Sequence, residues 1–116
     1  MKKIFVVITI SVITSLLLTS CKKDSSNPND LSGTVWVNKV AGTGMVETLT
    51  FTSATTFTDV LVSGTSNLSV SGTYTYIPPT VKMYNTSGTV TQTGTISGNT
   101  FTSSSTSGTP VYYTKQ

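Results

Sequence analysis

From residue 31 onward, apolar side chains recur at every second position of the chain. Leu68, Val70, Gly72, Tyr74 and Tyr76 fall on one side of an extended backbone, with Ser69, Ser71, Thr73 and Thr75 on the other. Val90, Gln92, Gly94 and Ile96 alternate in the same way with Thr91, Thr93 and Thr95. A period of two belongs to a half-buried strand. Threonine fills most outward positions: its branched Cβ suits a pleated surface while its hydroxyl stays hydrated. Breaks rich in Gly, Asn and Pro return about every eight to twelve residues, the spacing of an all-β meander. The pattern predicts strands over 34–40, 45–52, 56–62, 68–76, 80–84, 89–96, 100–103 and 111–115, and no helix. The predicted connections are 41–44, 53–55, 63–67, 77–79, 85–88 and 97–99, with a longer Ser/Thr-rich loop over 103–110. Short connections favour antiparallel neighbours. About eight such strands are expected to close into an up-and-down barrel, which removes exposed sheet edges; a two-sheet β-sandwich is the alternative.

The first thirty residues follow different rules. Lys2 and Lys3 precede an apolar run from Ile4 to Leu18, which ends in small polar residues before Cys21. This is the order of a secretory signal peptide. A transmembrane helix needs about twenty apolar residues, and this run is shorter. Cys21 is the only cysteine, so no internal disulfide can form. Leu18-Thr19-Ser20-Cys21 resembles the lipobox of bacterial lipoproteins. That resemblance implies that Cys21 becomes the mature N-terminus, carries lipid on its sulfur and amine, and anchors the protein to a membrane through several acyl chains. It also implies outer-membrane sorting in the cell envelope, because Lys22 rather than Asp follows the cysteine. Residues 25–30, Ser-Ser-Asn-Pro-Asn-Asp, lack apolar periodicity and are expected to be a flexible tether. The expected organisation is therefore a signal peptide over 1–20, a lipidated cysteine and tether over 21–30, and one β domain over 31–116.

Charge and composition narrow the chemistry. The net charge is +3, yet four of the seven lysines lie before residue 24. Within 31–116, Lys39, Lys82 and Lys115 stand against Glu47 and Asp59, without Arg or His. No basic stripe is present to displace counterions from phosphates, so nucleic-acid binding is not expected. Without His, and with the one Cys assigned to the anchor, metal sites built on those ligands and Ser-His-Asp or Cys-His catalysis are excluded. No Gly-x-x-x-x-Gly-Lys phosphate cradle occurs. Neither an enzymatic activity nor a cofactor is expected.

A second resemblance covers most of residues 31–116. The lipoprotein start, Leu31-Ser32-Gly33-Thr34-Val35-Trp36, Leu49-Thr50-Phe51-Thr52, Ser71-Gly72-Thr73-Tyr74-Thr75-Tyr76 and Gly94-Thr95-Ile96-Ser97-Gly98-Asn99-Thr100-Phe101-Thr102 together resemble the small lipocalin-like lipoproteins of Gram-negative bacteria. The resemblance implies an up-and-down barrel with a cup-like interior. Gly33 and Trp36 stand three apart, where the family signature has two, and a bulge near Val35 would reconcile them.

The candidate site residues follow from this reading. Trp36 is expected to plug one end of the barrel as core, with a ligand contact as the alternative. Phe51, Phe57, Tyr74, Tyr76, Phe101, Tyr112 and Tyr113 are expected mainly as core, since eight strands enclose an interior that side chains nearly fill. Any surviving cavity would be lined by Tyr74, Tyr76 or Met83, apolar bodies of which the tyrosines also carry a polar tip. If Leu49 and Phe51 face the same way as Phe57 and Leu61, Glu47 and Asp59 lie opposite or diagonal on the apolar face, with Cβ atoms about 5 to 8 Å apart. Such a pair could share a proton, bind a hard cation or receive a ligand amine. Alternatively, both sit in water at the rim, or Lys39 or Lys82 neutralises them. Two functions remain: a binding module for a small apolar or amphipathic molecule, or an interaction lipoprotein with a filled core that meets envelope proteins or polysaccharide through loops 63–67 or 103–110.

Overall fold

A computed structural model of the chain describes residues 29–116; the signal segment and Cys21 lie outside the described residues. Eight strands follow one another: β1 (Val35–Val40), β2 (Met45–Phe51), β3 (Thr56–Ser63), β4 (Ser66–Ile77), β5 (Thr80–Tyr84), β6 (Val90–Ser97), β7 (Thr100–Ser105) and β8 (Pro110–Lys115). Each pairs antiparallel with its sequence neighbour, and β8 returns to β1, so the sheet is a closed barrel, not a sandwich.

The register sorts the alternating side chains into inner and outer sets. Trp36, Leu49, Asp59 and Val70 make one inner row across β1 to β4, and Asn38, Glu47, Leu61 and Leu68 make the next. Phe51, Phe57 and Gly72 form a row on the other side of the first. The strand directions give the barrel two unlike ends. At the end where β1 begins, Trp36, Phe51, Tyr74 and Phe101 close the interior with rings packed edge to face, at centroid separations of 6.2 Å for Trp36–Phe101 and 4.6 Å for Phe51–Tyr74. Such edge-on pairs add about 0.5–1.5 kcal/mol each beyond the area they bury. Trp36 is 1% exposed, and its indole N–H donates to the Thr34 hydroxyl at 2.9 Å. The backbone turn that caps this end needs Gly33 at φ +77°, and the Gly33 amide donates to the Phe51 carbonyl at 2.7 Å. Glycine is used differently in two strands. A Cβ at Gly94 would overlap the Phe101 ring and the Thr102 carbonyl, and one at Gly72 would overlap the Tyr84 carbonyl and the Phe57 ring. The missing Cβ lets each ring lie flat on the barrel wall.

The opposite end is the mouth. There the β3–β4 hairpin rises past β5, whose pairing with β4 stops at Thr73 and Tyr84. Leu68 and Val70, on the inner side of that hairpin, are consequently 61% and 47% exposed. The wall also parts at the β1–β8 join, where pairing covers only Trp36–Lys115 and Val37–Thr114 before the strands diverge toward the mouth.

The strand positions follow the pattern read from the sequence, with four corrections. The expected loop 63–67 shrinks to a turn at Gly64 and Thr65, because Ser66 and Asn67 continue the ladder opposite Ser63 and Val62. The expected loop 103–110 shrinks to 106–109, because Ser103, Ser104 and Ser105 pair with Gly94, Thr93 and Gln92. Pairing around Val35 is regular, and the bulge lies instead between Met83 and Tyr84. Tyr112 is not core: strand alternation turns it outward, 61% exposed, while its neighbour Tyr113 is fully buried.

Candidate functional site

Between the aromatic end and the mouth, the barrel interior changes from apolar to polar. Glu47 on β2 is paired with Leu61, and Asp59 on β3 with Leu49, which makes the two acids diagonal neighbours on the inner face. Burial, then the negative charge of Glu47 and a hydrogen bond to it, push the Asp59 carboxyl up to about 7, against a smaller opposing backbone bond from Val60. Asp59 therefore keeps its proton to a higher pH than a free aspartate. Asn38 Nδ2 donates to Glu47 Oε2 at 3.3 Å. Tyr113 approaches from β8, its ring stacked on Phe101 at 5.5 Å. Its phenol is held above the ordinary tyrosine value by burial first and by Glu47 second. Gln92 also faces that phenol, and its own Oε1 accepts a bond from Ser103 Oγ at 2.9 Å.

Two atoms of this group are buried without a hydrogen-bond partner: Asp59 Oδ1 and the Tyr113 hydroxyl oxygen. Leaving a buried polar atom unpaired costs about 1–3 kcal/mol, so native structures rarely do so without a reason. Beside Asp59 lies a cavity of about 170 Å³, lined by Phe57, Asp59, Val70, Met83, Asn85, Thr91 and Gln92. Phe57, Val70 and Met83 make it apolar around the Asp59 carboxyl, and Asn85, Thr91 and Gln92 add amides and a hydroxyl.

The sequence-derived candidates divide between the two ends. Glu47 and Asp59 are brought together as the equal-parity hairpin requires, and the lysine neutralisation considered for them does not occur. Lys39 and Lys82 alternate to the outer surface, lining separate external grooves. Met83 lines the cavity. Trp36 and Tyr74 belong to the packed end, where the Tyr74 hydroxyl donates to the Ser53 carbonyl at 2.8 Å, and Tyr76 packs half-buried against the same cluster. Core filling and a cavity thus coexist, one at each end. Tyr113 is buried as the sequence predicts for a core residue, whereas its approach to the acids, and the places of Gln92 and Ser103, are not among the sequence-derived candidates. The available signal was Gln92, an amide on the inward-facing side of an otherwise small or apolar alternation.

Among the described residues, no group of three or more acidic, His or Cys side chains converges. A hard cation at the acid pair would have to complete its shell from amide oxygens and water. Comparison of the chain with models of known protein families, with characterised proteins and with solved structures gave no match.

Proposed function

We propose that the protein is a lipid-anchored binding module of the bacterial cell envelope, of lipocalin-like type, whose barrel mouth holds a small amphipathic molecule. The observation that carries this reading is the buried, unpartnered Asp59 Oδ1 on the wall of a cavity that also presents Phe57, Val70 and Met83. A ligand entering there would meet Asp59 Oδ1 and cover Val70. At about 170 Å³ the cavity is below the 300–1,000 Å³ of most small-molecule sites, so the ligand is small or leaves part of itself above the rim. The anchoring part rests on Leu18-Thr19-Ser20-Cys21. The described chain enters the barrel at the Trp36 end, opposite the mouth. No catalytic role is proposed.

The test is native mass spectrometry of the protein recovered gently from its own host, alongside fatty-acid labelling of the Cys21→Ser variant. A reproducible added mass, and labelling that disappears with Cys21, support the reading. A bare polypeptide in every preparation, with envelope proteins or polysaccharide copurifying, would replace it with the interaction-lipoprotein alternative.

A further inference from the structure

Resting on the ligand-binding reading above, we propose that the mouth cavity recognises a small organic ammonium, its cationic head seated at Glu47 and Asp59 and its hydrocarbon part against Phe57, Val70 and Met83.

The charge of the site points this way. Asp59 from β3 lines the cavity, and Glu47 from β2 and Tyr113 from β8 are the titratable groups beside it. The other elements offer Asn38, Val70, Met83, Gln92 and Ser103, none of them charged. No lysine is among the groups acting on Asp59 or Tyr113, and Lys115, which shares Trp36's row on β8, lies over the Trp36 ring at 5.9 Å, at the end away from the mouth. In a partly desolvated site the negative potential of the acids attracts a cation far more strongly than it would in water.

Hydrogen bonding selects the kind of cation. Acceptor positions are open at the acid pair: Asp59 Oδ1 lacks a partner, and Glu47 receives one amide bond from Asn38. An ammonium brings up to three donors and no acceptor, which complements that inventory. A carboxylate or phosphate ligand would meet two acids, with no cationic side chain on the cavity wall to balance its charge. A divalent ion such as calcium seeks six to eight oxygens, and half the cavity wall offers it carbon.

Size sets the scale of the ligand. A cavity of about 150 Å³ can admit benzene, so the roughly 170 Å³ here accommodates an alkyl or aryl group of that order. Binding the ammonium to a charged pair releases the proton held by Asp59. Affinity is therefore expected to rise between pH 5 and 8.

The experiment uses the full chain in a non-ionic detergent, labelled with ¹³C at the methionine methyls, so that Met83 reports occupancy of the cavity. Benzylamine, benzyl alcohol and benzoate are titrated as isosteric probes of positive, zero and negative charge. Benzylamine is expected to shift the Met83 resonance and to bind roughly tenfold or more tightly than benzyl alcohol, with no shift from benzoate. Glu47→Gln with Asp59→Asn is expected to abolish that preference while the cooperative melt is retained. Tyr113→Phe, which leaves both acids in place, is expected to weaken benzylamine less. Equal binding of amine and alcohol, unchanged in the double variant, overturns the ammonium assignment and leaves the cavity reading standing. A Met83 shift from calcium chloride alone that blocks benzylamine also overturns it. No shift from any probe overturns it as well, and the host-derived mass then decides the ligand-binding reading separately.

Discussion

Glu47 and Asp59 stand one diagonal step apart on the inner face of β2 and β3, with Leu49 and Leu61 as their direct cross-strand partners. Each acid thus has an aliphatic neighbour across the ladder and the other acid as its nearest charge. Two carboxylates so placed do not ionise independently.

Stability should depend on pH in a direction opposite to that of most proteins. Asp59 rises from 3.8 to about 7 on folding, so between those values the folded protein binds more protons than the unfolded chain. Stability contributed by that proton is full below about 4, is lost as pH climbs toward 7, and is flat above it. Urea unfolding at pH 4, 5.5, 7 and 8 should show this decline. Asp59→Asn should flatten it and be the more stable form at pH 8.

Tyr113→Phe removes a buried hydroxyl that has no partner. Without ligand, the variant is expected to match the parent or exceed it by about 1 kcal/mol in urea unfolding. A loss of 2 kcal/mol or more would mean the hydroxyl already has a structural bond.

Phe101 touches Trp36, Phe51 and Tyr113, which makes it the centre of the packed end. Phe101→Ala should cost about 3–5 kcal/mol, enough to unfold a marginal domain of this size. Gly94→Ala places a methyl where the same ring lies, and about 1–3 kcal/mol of overpacking cost is expected. Both are read from denaturant midpoints, with Trp36 fluorescence as the signal.

Lys39 and Lys82 occupy the outer surface. Replacing both by Ala is expected to leave the pH dependence of stability unchanged, because surface charges in water are strongly screened. A changed slope would place one of them within reach of the acid pair.

The sequence makes some of this architecture plain and conceals the rest for identifiable reasons. β5 was bounded correctly because Pro78-Pro79 and Asn85 punctuate it on both sides. The meeting of Glu47 with Asp59 was legible because a hairpin of equal parity leaves few arrangements, although its diagonal register was not. Ser103 to Ser105 look like loop in isolation, and only Gln92 and its neighbours across the ladder make them strand. Tyr112 and Tyr113 are chemically identical in the sequence. The pairing of Phe101 with Tyr113 decides which one enters the barrel, and that register is a property of the folded sheet. The cavity was hidden for the same reason, since it exists only where β4 outruns β5.

The barrel interior holds Glu47 and Asp59 half-buried and diagonal to each other. Carboxyl ¹³C NMR, following Asp59 from pH 3 to 9, tests it most directly. The Asp59 resonance is expected to titrate near 7 and to shift toward lower pH when Glu47 is replaced by Gln. An Asp59 that titrates near 3.8 and ignores the Glu47 substitution would contradict it.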